Sequence, residues 1–408
     1  MTQGKSVSTM AMMFVVVGNM LGAGILAVPV NLCAAGFWPS VVATLAMWLL
    51  MTYTAIIYSD QKSLTTNEHA DLPTFFGQEL GPIGKWVTIA GNAVLLYGVL
   101  VAYLTGISSI IMSLQSSISQ PVVMTIYFIV VTGITAFGMI MMNKCTPYMV
   151  ITMWITFGML VFMTVPDVSS ENLAKLDWSY VPAGLPVLLM AFHFHNIIPS
   201  ISRALNHDRK KVRFAIIGGT TIGLLMNCIW LLVVLGALPL SAPNGIDLIT
   251  AFGKNQPATI PLGLLLKTPV FSYVALVFAL IAMSTAFMAN GTALMSFMRD
   301  LTATYLGTKN KFLVWSLAFM PPLLVGLIYP DIFLVAINLV GGVGECLIFG
   351  ILPGFIVWKY SKHGSFKKIT GIILIVCFSA IFLVEIGQEL GLLHISPDVE
   401  YWSHYTHK

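Results

Sequence analysis

Two imidazoles, a carboxamide and two prolines interrupt an apolar stretch near the middle of the chain. The stretch runs from Pro186 to Ser200 and contains His193, His195 and Asn196. Histidine titrates closest to neutral pH, so these residue types could carry a proton. Polar and ionisable side chains inside a membrane segment are costly without partners, and they commonly mark pathways for ions or substrates. The stretch therefore predicts a binding site for a cation or a small polar solute.

Carboxylates are the other candidates for carrying a proton. Glu345 follows Gly341, Gly342, Val343 and Gly344 in an apolar segment, and Glu385 lies in the last apolar segment. Glu345 could be a proton carrier or a hydrogen-bonded tie between helices. Since His193 and His195 are two residues apart, a regular helix would point them to opposite sides. Only an unwound segment could bring both to one site, so we expect one of the two to be structural.

The first apolar segment also contains helix-breaking residues. Gly18, Gly22 and Gly24 fall within seven residues, and Pro29 follows five residues later. Glycine adds backbone entropy and proline lacks a donor, so a continuous helix is disfavoured here. Close packing of small residues would be the other explanation. Irregular backbone at membrane depth is tolerated where it lines a cavity or is buried in protein, which again indicates a site.

The elements that position these residues are membrane spans. Only 9% of the 408 residues are charged, 57% are hydrophobic, and the mean hydropathy is +0.89. This composition excludes a soluble enzyme and a nucleic-acid-binding protein, because a soluble domain of this size has about 25% charged residues. Segments long enough to cross about 30 Å of hydrocarbon occur at 8–36, 38–59, 84–115, 121–142, 147–166, 182–204, 212–238, 269–298, 312–329, 331–358 and 368–392. We predict an all-α polytopic membrane protein with eleven transmembrane helices.

The positions of the cations predict the orientation of these spans. With the N-terminus inside, 16 of the 20 Lys and Arg residues fall on one side. Cytoplasmic loops carry this excess, so we expect a cytoplasmic N-terminus, an external C-terminus and a multi-pass protein of a bacterial inner (plasma) membrane. The basic cluster from Arg203 to Arg213 is explained in the same way, without a nucleic-acid partner. The outer link at 240–268 is expected to contain short helices, because long unstructured loops are uncommon.

Spans 1 and 6 occupy corresponding positions in two five-helix halves. Interrupted spans at matching positions of two halves are the best sequence indication of a transporter binding site. The N-termini of half-helices can face a carboxylate, and freed carbonyls can accept an ammonium group or a cation. The boundaries we expect are 1–166 for the first inverted repeat, 167–358 for the second, and 359–408 for span 11 with an external tail.

The motifs at the two breaks resemble a known family. The stretches G-N-M-L-G-A-G-I-L-A-V-P at 18–29 and A-F-H-F-H-N-I-I-P-S-I at 191–201 are similar to those of the bacterial aromatic amino acid permeases. These form the hydroxy and aromatic amino acid permease family, within the amino acid-polyamine-organocation superfamily. The resemblance implies a LeuT-like fold of two inverted five-helix repeats plus one helix, with helices 1 and 6 unwound. It also implies import of an aromatic amino acid driven by protons.

The same resemblance implies that Gly22, Ala23, Gly24, Phe194 and His195 lie at the substrate. We add four candidate substrate contacts, which are Asn19, Tyr103, Phe192 and Asn196. Asn196 stands where the family more often has Gly, which could shift substrate preference. Family members often have a Lys in helix 5 that is suspected to serve proton coupling, and Met153 stands at about that position here.

Two kinds of coupling ion remain open. Ser284 and Thr285, with carbonyls near Gly18 and Leu21, could form an oxygen cage for Na⁺. Alternatively, the two hydroxyls bond their own helix backbone. For protons the candidates are His193, His195, Glu345 and Glu385, and we assign the coupling role to His193 and Glu345.

The expected protein is a monomeric transporter without a cofactor. A sodium-coupled symporter and an importer of another neutral amino acid are the alternatives. A channel and a membrane-embedded metalloenzyme using His193, His195 and Glu345 are less favoured, because an HxH motif alone is a weak signal.

Overall fold

A computed structural model describes residues 8–61, 72–115, 117–136, 139–362 and 365–395, with the side chains of 136–147 left aside. All regular structure in these ranges is helical. Within them, nine helices are long and apolar enough to cross a membrane, and the bent pair Thr9–Met20 and Ala23–Asn31 makes a tenth span. The apolar helix Gln120–Thr135 is shorter. The chain is therefore a multi-pass membrane protein, and the count of eleven spans stays a prediction.

The helices are numbered here in chain order. They are α1 Thr9–Met20, α2 Ala23–Asn31, α3 Phe37–Asp60, α4 Leu72–Leu114, α5 Gln120–Ala136, α6 Met139–Thr164, α7 Ser170–Leu173, α8 Val181–Ala191, α9 Ile198–Ala204, α10 Arg209–Ala237, α11 Leu248–Gly253, α12 Thr259–Leu266, α13 Pro269–Tyr305, α14 Lys311–Ile328, α15 Phe333–Leu339, α16 Leu352–Tyr360 and α17 Phe366–Glu389. A π-helical segment, Val340–Ile351, joins α15 to α16.

Side-chain caps begin several of the long helices. Ser8, Asn310 and Ser365 each accept a backbone N–H from the first turn of the helix that follows. Asp208 caps α10 in the same way, and the backbone hydrogen bonds from Lys211 and Lys210 hold the pKa of its carboxyl below the usual value. Such caps satisfy N–H groups that have no partner within the helix, so the sequence itself specifies where these spans start.

The link between α10 and α13 contains short helices, as the sequence predicted. Asp247 caps α11 by accepting the Thr250 N–H at 2.6 Å. The Ala258 N–H then donates to the Leu26 carbonyl of α2 at 3.0 Å, and the Val335 N–H of α15 donates to Asn255 at 3.3 Å. The link is therefore hydrogen-bonded to the second half of the broken first span and to the start of α15.

The π-helical segment lies at the centre of the packing. Glycines give its backbone close contact with three neighbours, because a Cβ on Gly344 would lie 2.9 Å from the Leu95 backbone nitrogen of α4. Gly341 lies against the Pro186 carbonyl of α8, and Gly342 against Glu385 of α17. The segment therefore touches three helices through glycine. π-Helical turns are rare and often occur at functional sites.

Candidate substrate and ion site

The first span is broken at the position that its glycines predict. α1 ends at Met20, α2 begins at Ala23, and the two axes are bent by 53°. Leu21 and Gly22 lie between them with non-helical backbone. The N–H groups that open α2 lack partners within the helix and lie at its positive end. This break can therefore receive an anionic group such as a carboxylate.

The sixth span is broken as well. α8 ends at Ala191, a 3₁₀ turn covers His195–Ile197, and α9 resumes at Ile198. The Phe192 and His193 N–H groups return to the Leu189 and Met190 carbonyls in short turns. The regular helical hydrogen bonding therefore stops at this break, where backbone carbonyls can accept a cationic group.

The two breaks face each other. A Cβ on Gly24 would lie 2.8 Å from both the Cα and the N of Ala191, so only glycine allows this backbone approach. The Asn19 Nδ2 donates to the Asn196 Oδ1 at 3.0 Å and to the His193 carbonyl at 3.4 Å. A side chain from the first break thus holds the backbone of the second one.

Sequence reasoning missed Asn290, which extends this contact into α13. The Asn196 Nδ2 donates to the Asn290 Oδ1 at 3.1 Å, and the Asn290 Nδ2 donates to the Ala286 carbonyl at 3.0 Å. Asn290 is fully buried. A carboxamide in the middle of an apolar span was the available signal. Three amides therefore connect α1, the sixth span and α13.

Tyr103 of α4 lies at the same place. A Cβ on Gly22 would lie 3.4 Å from the Tyr103 hydroxyl and 3.6 Å from the Ala286 Cβ. The Tyr103 side chain also interacts with Asn290. Tyr103 was a predicted substrate contact, and the structure brings it against the first break.

His193 and Glu345 form a buried pair. The His193 Nδ1 lies 2.8 Å from the Glu345 Oε1, and the two side chains are 2% and 0% exposed. The remaining polar atoms, His193 Nε2 and Glu345 Oε2, have no hydrogen-bond partner among the described residues. Both residues were predicted for ion coupling from separate motifs, and the fold joins them.

His195 lies in a different environment. Its Nε2 is 2.9 Å from the Thr54 hydroxyl of α3, and its ring stacks on Phe349 with centroids 4.4 Å apart and planes at 15°. His193 also contacts Phe349, with ring centroids 5.7 Å apart. Both imidazoles therefore face the π-helical segment. His193 meets the carboxyl of Glu345, and both rings lie near Phe349.

The remaining predicted site residues are the two aromatic residues of the sixth span and the four residues of the predicted sodium cage. Phe192 and Phe194 are fully buried, and the centroids of the Phe194 and His195 rings are 4.9 Å apart. The Thr285 hydroxyl donates to the Ile281 and Ala282 carbonyls of its own helix, and Ser284 pairs with Tyr127 at 3.1 Å. Gly18 and Leu21 lie in α1 and its cap.

Met153 fills the space next to the first break. A Cβ on Gly18 would have Val150 at 3.5 Å and Met153 at 4.0 Å as neighbours. The position where the resembling family often has a Lys is thus occupied by an apolar side chain that contacts α1.

Two broken spans that meet among long apolar helices define a membrane transport protein. A family model described as the tryptophan/tyrosine permease family matches residues 5–388, and the chain belongs to this family. The chain is 26% identical over 357 residues to a tyrosine-specific transport system of Haemophilus influenzae, covering 86% of this chain and 88% of that protein. It is also 26% identical, over an alignment of 426 positions, to a tryptophan-specific transport protein of the same organism. That alignment covers 96% of this chain and 98% of that protein.

A relative with a different name also matches. The chain is 26% identical over 348 residues to a glutamine transporter of Aliivibrio fischeri, covering 81% of this chain and 83% of that protein. The family and these relatives are permeases and transporters, so the chain transports amino acids and is not an enzyme.

Proposed function

We propose that this protein imports a tyrosine- or tryptophan-like amino acid by symport with a proton. The observation that carries the proposal is the junction of the two breaks, where Asn19 donates to both Asn196 and the His193 carbonyl. Permeases for tyrosine and tryptophan among the relatives support the substrate class. The fold we propose has two inverted repeats, 1–166 and 167–358, with a cytoplasmic N-terminus and an external C-terminus.

The substrate would lie across the two breaks. Its carboxylate would meet the N–H groups at Gly22, Ala23 and Gly24, since the positive end of a helix favours an anion. Its ammonium group would meet the carbonyls freed at the end of α8. Phe192 and Phe194 supply apolar area for an aromatic side chain. Alternating access would come from rocking the broken spans against the other helices.

The His193–Glu345 pair would carry the coupling proton. With one bound proton the pair is net neutral, whether the proton lies on the imidazole or on the carboxyl. Without it the pair bears a negative charge, which is costly in a buried site. The pair therefore retains its proton while buried and can release it when the site opens to water. A proton travelling with a neutral zwitterion makes transport electrogenic.

Uptake into liposomes with the two gradients imposed separately tests this function. We expect a proton gradient alone to drive accumulation of tyrosine or tryptophan. At a driving force of 100 mV, one cotransported charge can sustain a roughly 40-fold accumulation. Accumulation driven by sodium alone would move the coupling to Na⁺. If neither gradient concentrated any neutral amino acid, the proposal would fail.

Glutamine or a similar neutral amino acid is the second candidate substrate. Two observations favour it, which are the glutamine transporter among the relatives and the three amides that line the junction. Carboxamides can hydrogen-bond a substrate amide as donor and acceptor. Uptake of labelled tyrosine is measured with unlabelled glutamine or unlabelled tyrosine as the competitor. The preferred substrate is the competitor that inhibits at the lower concentration.

A further inference from the structure

Glu385 of α17 is a buried carboxylate that the site described above does not use. Its side chain is 2% exposed, and its Oε1 has no hydrogen-bond partner among the described residues. A carboxylate buried in this way is costly in its ionised form, so it is expected to be retained for a function. We propose that Glu385 carries the coupling proton from the outer water to the His193–Glu345 pair. This inference rests on the proposed proton symport.

The packing of α17 places Glu385 beside the π-helical segment. A Cβ on Gly342 would lie 2.5 Å from the Glu385 Cγ and 3.1 Å from its Cδ, so the carboxyl lies directly on this glycine. Glu345 follows three residues later in the same segment. The two acidic groups therefore share one region of the helix packing.

Glu385, Glu345 and His193 each have one polar atom without a hydrogen-bond partner among the described residues. These atoms are the Glu385 Oε1, the Glu345 Oε2 and the His193 Nε2, and all three are buried. Buried polar atoms are nearly always hydrogen-bonded, to protein or to an ordered water. A bridging water or a shared proton is the natural partner at such a position. The same group of side chains thus offers the acceptors and donors that a proton needs to pass along it.

The proposed path continues to the end of α17 through Glu389. Glu389 is the last residue of the helix and is exposed, and it lies one turn, about 6 Å, beyond Glu385. The predicted topology puts this end of α17 on the outer side. A proton from outer water would pass by Glu389 to Glu385. The Glu385 carboxyl then gives its proton to the unprotonated His193–Glu345 pair and becomes a carboxylate, which the next outer proton restores.

Among the described residues packed against this part of α17, few others are ionisable. The π-helical segment contributes Glu345 and Cys346, α17 itself contributes Glu389, and the sequence of α8 contains no titratable residue. α16 contributes Lys359 and Tyr360, but it packs near Gly371, 14 residues and about 21 Å from Glu385. Leu393, which follows α17, packs on Gly387 of that helix, so His394 is one further titratable residue near this end of α17.

The test compares gradient-driven uptake with substrate exchange in liposomes. We expect Glu385→Gln to lower proton-driven accumulation at least tenfold while exchange of labelled for unlabelled substrate persists, because exchange needs no net proton movement. Glu171→Gln, an exposed glutamate of α7, is the matched control and is expected to behave as the wild type. Wild-type accumulation in Glu385→Gln would overturn the inference. Absence of proton-driven uptake in the wild type would instead defeat the proposed function.

A second measurement uses the wild-type protein and tests the role of Glu385 even where Glu385→Gln does not fold. A hydrophobic carbodiimide adds to protonated carboxyls in apolar surroundings, and peptide mass spectrometry identifies the modified residue. We expect modification at Glu385 that decreases as the pH rises and that blocks driven uptake. A Glu385 that stays unmodified at every pH, or modification that leaves driven uptake intact, would overturn the inference.

Discussion

The two histidines of the sixth span are separated by one residue, yet their surroundings differ in kind. His193 faces the carboxylate of Glu345 with an Nδ1–Oε1 distance of 2.8 Å. His195 faces the hydroxyl of Thr54 and stacks on Phe349. A carboxylate can stabilise an imidazolium, whereas a hydroxyl and an aromatic ring leave the charge of a buried imidazolium uncompensated. Under the proposed proton symport, His193 with Glu345 would carry the proton, while His195 would shape the site through Thr54 and Phe349.

Removing the titratable carboxyl of Glu345 from its pair with His193 should have the largest effect on transport. Glu345→Gln keeps the shape and a hydrogen-bond acceptor for His193 but cannot gain or lose a proton. We expect proton-driven accumulation to fall from roughly 40-fold to near onefold at a driving force of 100 mV. Exchange of substrate should continue. The measurement is labelled uptake in liposomes under an imposed gradient, and a variant that still accumulates substrate would show that the proton binds elsewhere.

Removing the His195 ring should weaken transport without uncoupling it from the proton gradient. His195→Ala deletes the contact with Thr54 and the stack on Phe349, and stacked rings contribute about 0.5–1.5 kcal/mol beyond their buried area. We expect the KM for uptake to rise roughly tenfold, with the accumulation ratio at equilibrium unchanged. Initial rates across substrate concentrations measure the first quantity. Wild-type KM in this variant would refute a role at the site, and a lost gradient dependence would reverse the assignment of the two histidines.

A smaller change separates the hydroxyl from the ring. Thr54→Val removes the hydrogen bond to the His195 Nε2 at constant volume, and one such bond contributes about 1 kcal/mol. We expect a rise in KM of about fivefold, measured in the same assay. Thr52→Val is the matched control, because Thr52 of the same helix bonds Thr220. Equal effects of the two changes would mean that the helix, and not the contact to His195, is responsible.

The sequence predicted the breaks because their causes are local. Gly22, Gly24 and the polar run at His193–Asn196 disfavour regular helix wherever they occur, so both interruptions could be read from residue types. The pairing of His193 with Glu345 could not, because its partners are 152 residues apart and meet only through the packing of the π-helical segment. Asn290 was missed because the contact of its Oδ1 with Asn196 joins residues 94 positions apart, and the apolar sequence around Asn290 gives no sign of it.

The smallest expected effect concerns the hydroxyls that could have formed a sodium cage. The Thr285 hydroxyl already donates to the Ile281 and Ala282 carbonyls, at 2.8 and 2.9 Å. Such bonds within a helix need no ion, so Thr285→Ala should change uptake by no more than about twofold. The measurement is uptake with and without sodium at fixed pH. A sodium stimulation that is present in the wild type and absent in this variant would support a sodium site at Thr285. It would also weaken the case for His193 and Glu345. An unchanged response would leave the His193–Glu345 pair as the remaining coupling site among the predicted residues.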